Sequence, residues 1–298
     1  MKLEKVLIYG MGLMGGSLAL AIRESFPNVI VHAVVRTDRS KKTILESKLA
    51  DVVFLEQELG ENFGYKGYNL VVFSTPVTSI LSKIPNLPKN SETVFMDLGS
   101  TKLTLVEAVD KHFKSEMHNY ISAHPMCGSE NFGPGASVPD LYKNKLCILC
   151  PPDHANESAL RFVDEFWKMI SMRTTIMDAK THDETLAYLS HLPHIVSSIL
   201  VSIAAANPAT FQEITKNDKP ITGGGFRDMS RIAGTNIDMW VSIFQENQGF
   251  IYNSLLDFEK KLHSMIEAFH PHKELDSSAI SKLWKEALVA KKTIRKEL

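Results

Sequence analysis

The sequence predicts an α/β domain followed by an all-helical domain. Up to about residue 177, short apolar runs rich in β-branched residues alternate with helix-prone stretches. Beyond that point apolar residues recur at helical spacing and strand-like runs disappear. A chain of 298 residues is also long enough for about two domains. We therefore expect one domain over residues 1–177 and a second over residues 178–298.

Residues 6–35 predict a βαβ unit, in which a strand, a glycine-rich turn, a helix and a second strand follow one another. The turn carries the pattern G-x-G-x-x-G, and its place between strand and helix makes it a dinucleotide fingerprint. Gly10 permits the tight turn, Gly12 lets a pyrophosphate approach the backbone, and Gly15 allows close packing of helix on strand. The N-terminus of the helix then attracts the phosphates. The sequence therefore predicts a Rossmann-type dinucleotide-binding domain with cofactor contacts at Gly10, Gly12, Leu13, Met14 and Gly15.

The end of the second strand bears on which dinucleotide binds. An acidic residue about 20 residues beyond the glycines would bind the ribose hydroxyls of NAD, but Arg36 stands there. Charge-assisted hydrogen bonds from this segment would instead hold a 2′-phosphate, with contacts from Arg36, Thr37, Arg39 and Ser40. Asp38 keeps NAD open, because a shift of two residues restores an acidic contact. We predict NADP, with NAD as the alternative.

Five more strands are predicted in the first domain, over residues 68–74, 93–97, 120–124, 146–150 and 174–177. Helices are predicted over residues 102–112, 156–169, 238–248, 250–269 and 276–290. In open α/β sheets the ligands contact loops at the carboxyl ends of the strands. The first of these loops therefore adds expected cofactor contacts at Ser74, Thr75 and Pro76.

Two later strand ends carry candidate catalytic residues. Ser100, just after one strand, can hydrogen-bond a substrate hydroxyl or a nicotinamide, or else cap the following helix. His124, at the end of another strand, can act as a general base near neutral pH, or else be structural. On the residues alone, both alternatives stay open.

The helical domain begins with His182-Asp183 and continues with His191 and His194, which are three residues apart and would share a helix face. They can be anion-binding or catalytic, capping, or metal-binding. The metal interpretation is the weakest, because no third and fourth ligand is clear, so no metal site is predicted. Pro193 predicts a kink in this helix.

In the segment over 223–233, arginine is suited to bind a carboxylate in a bidentate manner, unless it pairs with an acid nearby.

The composition excludes several classes of partner. The 33 Lys and Arg residues nearly balance 34 Asp and Glu residues, and a net charge of −1 argues against nucleic acid and anionic membranes. Three cysteines are too few for a disulfide framework. No apolar stretch approaches the ~18 residues of a membrane span, and no signal peptide precedes the first strand. We expect a cytoplasmic protein with no membrane partner.

In five segments the chain resembles the prephenate/arogenate dehydrogenase family: residues 10–15, 97–102, 124–130, 190–194 and 223–233. They occur in the family's order, and the last four together are specific to it. The resemblance implies NAD(P)-dependent oxidation of a ring alcohol by hydride transfer, coupled to loss of the ring carboxylate as CO2. It thus implies conversion of prephenate to 4-hydroxyphenylpyruvate, or of arogenate to tyrosine, in tyrosine biosynthesis. It also implies a homodimer formed through the helical substrate and dimerisation domain.

The resemblance implies roles for single residues. His124 takes the proton of the ring hydroxyl as the hydride leaves, and Ser100 helps to position that hydroxyl and the nicotinamide. Arg231 binds a substrate carboxylate. The other substrate-binding residues that the resemblance implies are His191, His194 and Glu130.

Two other classes of protein stay open. A 3-hydroxyacid dehydrogenase or imine reductase of the same architecture typically needs a lysine or a different polar residue in the helical domain. A non-catalytic NAD(P) sensor should not need His124, Ser100 and Arg231 all intact. The choice between prephenate and arogenate also stays open, because the sequence does not place Glu130 or Asp140 at the substrate side chain.

Overall fold

The computed structural model describes residues 3–60, 63–128, 131 and 133–296. The first part of the chain forms one eight-stranded sheet in the order β3-β2-β1-β4-β5-β6-β7-β8. Neighbouring strands are parallel except for β6 and β7, which are antiparallel. The strands are β1 (Lys5–Tyr9), β2 (Ile30–Val35), β3 (Val52–Leu55), β4 (Leu70–Phe73), β5 (Val94–Asp97), β6 (Tyr120–Pro125), β7 (Leu146–Cys150) and β8 (Arg173–Ile176).

Helices cover both faces of this sheet. The helices are α1 (Leu13–Ser25), α2 (Asp38–Glu46), α3 (Val77–Lys83), α4 (Leu103–Phe113) and α5 (Glu157–Met169). Side chains of β1 alternate between two hydrophobic clusters: Val6 and Ile8 pack on the side of α1 and α5, whereas Leu7 and Tyr9 pack on the side of α3 and α4. Burial on both faces explains why this strand is a continuous apolar run in the sequence. The predicted α/β domain is therefore confirmed.

One strand of the sheet was not predicted. β3 is only four residues long and lies at the edge, and its first residue, Val52, is 38% exposed. The connection from β3 to β4 contains a single 3-10 turn, Glu56–Glu58, among its described residues, so the expected alternation of strand and helix is interrupted here. A short edge strand without a crossover helix leaves little periodicity to detect.

The rest of the chain is helical, as predicted. Its helices are α6 (Ala179–Leu186), α7 (Leu192–Ala206), α8 (Pro208–Lys216), α9 (Gly224–Ser230), α10 (Ile237–Glu246), α11 (Gln248–Ala268) and α12 (Ser277–Arg295). A π-helical turn, Ala187–His191, joins α6 to α7 and ends two residues before Pro193. Proline has no N–H and its ring displaces the carbonyl of the preceding turn, and a wider π turn accommodates both effects. The local disturbance expected at Pro193 is thus a π turn that ends at His191.

The continuous helix Ala179–Ala206, 28 residues long, is long and apolar enough to cross a membrane by length and composition alone. The expectation that no stretch reaches this length is therefore wrong. Histidine, serine and proline interrupt the apolar residues, so the stretch does not stand out as one run in the sequence. Part of its apolar side is exposed in the single chain, with Ile199 47% and Ile203 65% accessible. On its inner side Asp183 and His191 are buried in contact with protein.

The two parts of the chain meet at the N-terminus of α4. The carboxylate of Asp183, on α6, accepts hydrogen bonds from the backbone N–H groups of Lys102 (2.8 Å) and Leu103 (2.9 Å). The hydroxyl of Thr104 donates to the carboxylate of Glu246 at 2.8 Å. A carboxylate at a helix N-terminus satisfies free N–H groups and interacts favourably with the helix dipole. This junction brings the loops after β5 and β6 next to the helical part.

Candidate active site

The glycine-rich turn after β1 has a shape that only glycine permits at two positions. Gly10 has a φ of +82°, and a β-carbon there would lie 2.6 Å from the carbonyl oxygen of Ser74. A β-carbon on Gly15 would lie 2.0 Å from the carbonyl oxygen of Gly10. At Gly12, by contrast, a β-carbon would meet no described atom within 4 Å. The turn is closed by Gly10 and Gly15 and is open at Gly12, where a pyrophosphate is expected to approach.

The surroundings of the turn fit a dinucleotide. Helix α1 begins at Leu13 with no side chain capping it at Gly12, so its first N–H groups are available to an anion. The hydroxyl of Thr75, in the loop after β4 that touches Gly10, is buried without a hydrogen-bond partner among the described residues. The carbonyl of Met14 accepts a hydrogen bond from the Tyr142 hydroxyl at 2.7 Å. This bond ties the start of α1 to the chain segment that follows β6. Ser74 and Pro76 flank Thr75 at the same sheet edge.

The segment after β2 presents its predicted contacts at the surface. Thr37 caps α2: its hydroxyl accepts from the backbone N–H of Ser40 at 3.2 Å and donates to the Ser40 hydroxyl at 2.9 Å. Arg36 and Arg39 are exposed on either side of the cap, and so is Asp38 in the first turn of the helix. Two cations, two hydroxyls and one carboxylate thus lie within five consecutive residues at the N-terminus of α2.

Ser100 does not cap the helix that follows it. Helix α4 begins one residue after Lys102, and Asp183 satisfies its first N–H groups instead. The Ser100 side chain is partly exposed and makes no hydrogen bond with the described residues. The capping alternative for Ser100 is therefore wrong, and its hydroxyl lies available at the carboxyl end of β5.

His124 lies at the end of a chain of three side chains. The carboxylate of Asp183 is 2.7 Å from Nδ1 of His182, and Nε2 of His182 is 2.8 Å from Nδ1 of His124. An ionised carboxylate only accepts, so His182 donates from Nδ1 and its Nε2 accepts in turn. Nδ1 of His124 must then donate, which leaves an unprotonated Nε2. The chain therefore fixes the tautomer of His124 that a proton acceptor needs.

The surroundings also keep His124 neutral. Burial lowers its pKa well below the ordinary histidine value of 6.5, and the positive charge of Lys102 lowers it further. Burial is also the main cause that lowers the pKa of His182, despite its bond to Asp183. Neutral imidazoles at both positions agree with the tautomers that the hydrogen bonds require.

A fully buried ion pair lies beneath these histidines. The ammonium of Lys102 contacts the carboxylate of Asp97 and donates to the hydroxyl of Ser122 at 3.0 Å and to the carbonyl of Ala123 at 2.9 Å. Asp97 also accepts from the hydroxyls of Ser122 (2.6 Å) and Tyr120 (3.1 Å). The buried charges are thus paired and hydrogen-bonded, as their burial requires. The network holds the carboxyl ends of β5 and β6 together, next to His124.

The helical part brings its predicted residues together around one tryptophan. The ring of His194 lies 3.9 Å from the ring of Trp240, centre to centre, and the ring of His191 lies 6.0 Å from it. Arg231 is near enough to His194 for its charge to lower the pKa of that histidine, although burial contributes more. Burial lowers the pKa of His191 to about 4. His191 is also linked to the chain that ends at His124, because the Asn247 amide contacts both Nδ1 of His191 (3.1 Å) and the backbone carbonyl of Asp183 (2.8 Å).

Two candidate acids do not help to define this site. Glu130 lies outside the described residues. Asp140 is exposed and pairs with Lys143 at 2.6 Å. From the sequence, His182 and Asp183 shared only the open interpretations of the histidine-rich segment that begins the helical domain, and Lys102 had no role. A signal for the first two was the adjacent His-Asp pair at the start of a predicted helix, but its partner His124 is 58 residues away in the chain.

A dinucleotide-binding sheet with a tautomer-fixed histidine at the junction to a helical domain defines a dehydrogenase that uses a nicotinamide dinucleotide. The comparisons with known proteins agree. The family model for the prephenate dehydrogenase nucleotide-binding domain matches residues 18–176, and that for the prephenate dehydrogenase dimerization domain matches residues 178–282. The chain belongs to the prephenate dehydrogenase family.

Individual relatives are similar over most of their length. The chain is 27% identical to cyclohexadienyl dehydrogenase of Zymomonas mobilis, covering 82% of this chain and 81% of that protein. It is 28% identical to prephenate dehydrogenase of Lactococcus lactis, covering 87% and 70%. The crystal structure of prephenate dehydrogenase from Aquifex aeolicus, in complex with hydroxyphenyl propionate and NAD+, superimposes with a TM-score of 0.83 at 26% identity over 99% of both chains. These matches favour the prephenate/arogenate dehydrogenase family over a 3-hydroxyacid dehydrogenase or imine reductase, and over a non-catalytic NAD(P) sensor.

Proposed function

We propose that this chain catalyses the oxidative decarboxylation of prephenate to 4-hydroxyphenylpyruvate, or of arogenate to tyrosine, in tyrosine biosynthesis. The observation that carries the proposal is the chain from Asp183 through His182 to His124, which presents an unprotonated Nε2 at the carboxyl edge of the sheet. A neutral base is what the oxidation of a ring alcohol requires. The names of the relatives supply the substrate class.

His124 and Ser100 are the proposed catalytic residues. The hydroxyl of Ser100 orients the ring hydroxyl, and Nε2 of His124 takes its proton as the carbon–oxygen bond becomes a carbonyl. As the ring carboxylate leaves as CO2, the electron pair of the broken carbon–carbon bond makes the ring aromatic and turns the carbonyl oxygen into a phenolate, which takes back the proton from His124. The positive charge gained by His124 is stabilised through its Nδ1–H bond to His182, because hydrogen bonds to charged groups are stronger than neutral ones.

Arg231 and His194 are proposed to bind the substrate from the helical side, together with His191. The guanidinium of Arg231 suits a carboxylate, and the ring of His194, in close contact with the ring of Trp240, lies near it. Replacing Arg231 by alanine should raise the substrate KM by about 10- to 150-fold, as expected for a charged hydrogen bond of about 1.5–3 kcal/mol. An unchanged KM would contradict this role. Glu130 remains a proposed substrate contact from the resemblance alone.

The proposed cofactor is NADP in preference to NAD. The nicotinamide, when bound, supplies the hydride acceptor for the reaction. The phosphates would contact the start of α1 and the loop after β4, through Gly10, Gly12, Leu13, Met14, Gly15, Ser74, Thr75 and Pro76. A 2′-phosphate would meet Arg36, Thr37, Arg39 and Ser40. Replacing Arg36 by Asp should shift the ratio of kcat/KM from NADP toward NAD, and a wild-type preference for NAD would overturn the assignment.

We also propose that the chain acts in the cytoplasm as a homodimer and divides into domains near residue 177. Strand β8 ends at Ile176 and α6 begins at Ala179, which supports the division.

The second matching family model is described as a dimerization domain. Large apolar side chains are exposed on the helical part of the single chain, for example Ile203 (65%) and Phe211 (58%). A second copy that covers such a surface would account for them.

A matrix of initial rates tests the function directly. Prephenate and arogenate are each combined with NAD and NADP, and the absorbance of the reduced cofactor is followed. We expect turnover with one or both substrates and a higher kcat/KM with NADP. Absence of turnover in all four combinations, with cofactor binding intact, would overturn the enzymatic proposal and favour a sensor.

A further inference from the structure

Asn247 is a buried amide between the two histidine-bearing parts of the site. It is 2% exposed and immediately precedes α11. Its side-chain nitrogen Nδ2 lies 2.8 Å from the backbone carbonyl oxygen of Asp183 and 3.1 Å from Nδ1 of His191.

The first of these contacts determines the orientation of the amide. A backbone carbonyl oxygen only accepts hydrogen bonds, so the atom that faces Asp183 must be the NH2 group and not the amide oxygen. The same NH2 group faces Nδ1 of His191, and an amide nitrogen only donates. Nδ1 of His191 must therefore accept, and in the neutral ring the proton is on Nε2. Burial keeps His191 neutral, with a pKa of about 4.

The two histidines of the site are thus held in opposite tautomers. His124 donates from Nδ1 to His182 and has its lone pair on Nε2, whereas His191 accepts at Nδ1 and has its proton on Nε2. We propose that Asn247 is a positioning residue that makes His191 a neutral Nε2–H donor toward a carboxylate or carbonyl oxygen of the substrate, opposite to the acceptor His124. That substrate contact rests on the proposed function, while the tautomer of His191 does not.

An aspartate in place of Asn247 would reverse this arrangement. Its carboxylate would accept from Nδ1–H of His191, which leaves Nε2 either unprotonated or part of an imidazolium. It would also lose the donor to the carbonyl of Asp183. The difference between an amide and a carboxylate at one position therefore decides whether His191 donates as a neutral ring.

NMR of the full-length wild-type protein tests the tautomer. Histidine is labelled selectively with 15N, and the signals of His191 among the 11 histidines are assigned by their loss in a His191→Gln variant. We expect a pyridine-type nitrogen at Nδ1 and a pyrrole-type nitrogen at Nε2 of His191, which remain so at neutral pH. A proton on Nδ1 of His191 in the wild type would overturn the proposal. This measurement needs no variant at Asn247 to fold and no turnover.

The variant Asn247→Asp tests the consequence. We expect its His191 signals to change to an Nδ1–H ring or an imidazolium, and the substrate KM to rise about tenfold to hundredfold while the cofactor KM changes little. Asn207→Asp, an exposed cap of α8 that adds the same charge, is the matched control and should leave both unchanged. An unchanged His191 tautomer in folded Asn247→Asp protein would overturn the role of Asn247. An active wild type with the opposite tautomer refutes only this inference, whereas an inactive wild type with the expected tautomer refutes only the proposed function.

Discussion

His182 connects the candidate base His124 to Asp183, and its replacement by leucine tests that connection. The hydrogen bond from His124 Nδ1 to His182 Nε2, 2.8 Å long, contributes about 0.5–1.5 kcal/mol while His124 is neutral and about 1.5–3 kcal/mol once it is charged. The difference, about 1–2 kcal/mol, stabilises the state in which His124 has taken the proton. Leucine also leaves the Nδ1 proton without an acceptor, so a further part of the population adopts the wrong tautomer. We expect kcat to fall by about 10- to 100-fold.

The assay measures kcat with substrate and cofactor both saturating, from the absorbance of the reduced cofactor. His182→Gln is the matched variant, because its amide oxygen can accept from His124 while its NH2 group donates to Asp183. It should recover most of the activity that His182→Leu loses. A cofactor titration of both variants checks that the dinucleotide site is intact, since His182 lies outside it.

Two results would refute this reasoning. A kcat of His182→Leu within about twofold of the wild type would mean that the tautomer of His124 does not depend on His182. Equal losses in His182→Leu and His182→Gln would mean that packing, and not hydrogen bonding, explains the effect.

Three further predictions concern the base, the buried ion pair and pH. His124→Asn should lower kcat by about 10²–10⁴-fold with cofactor affinity near that of the wild type, and near-normal turnover would contradict the assignment. Lys102→Met leaves Asp97 buried without its cation and should lower the free energy of unfolding, measured in urea, by about 3–5 kcal/mol. Lys168, which pairs with Asp164 at the surface, is the control, and Lys168→Met should change this free energy by less than about 1 kcal/mol. The pKa of His191 is about 4 in the folded protein and 6.5 in the unfolded chain, so between these pH values the unfolded chain binds the extra proton. The free energy of unfolding should therefore decrease by up to about 3 kcal/mol as the pH falls from 6.5 to 4. The variant His191→Gln should show a smaller decrease.

Most of the fold follows from local pattern. The strands buried on both faces are continuous apolar runs, and the turn after β1 needs glycine at Gly10 and Gly15 because of contacts with its immediate surroundings. Helix α8 was missed because it has no buried residue in the single chain. The edge strand β3 was missed because it has only four residues, of which Val53 and Leu55 are buried, too few to show an alternation. Periodicity reports burial, so elements with little burial leave a weak pattern.

Site residues could be predicted from the sequence only where they stand at the carboxyl end of a predicted strand. Ser100 and His124 were candidates because they follow strand ends, and the sheet topology brings those ends together. The partners that determine their chemistry are distant in the chain: His182 is 58 residues from His124, and Asn247 is 56 residues from His191. Nothing in the local sequence marks a tautomer, because it depends on which atom of a remote side chain faces the ring.

The carboxylate of Asp183 relates the chemistry to the architecture. One of its oxygens accepts from both the Lys102 N–H and Nδ1 of His182, and the other accepts from the Leu103 N–H. The same group from the helical part therefore fixes the start of α4, which follows Ser100, and the tautomer of His124 on β6. Its own backbone carbonyl orients Asn247, and thereby His191. Since the candidate base on the sheet and the proposed donor on the helical side both depend on α6, neither part of the chain alone holds both histidines in the tautomers that the proposed reaction needs.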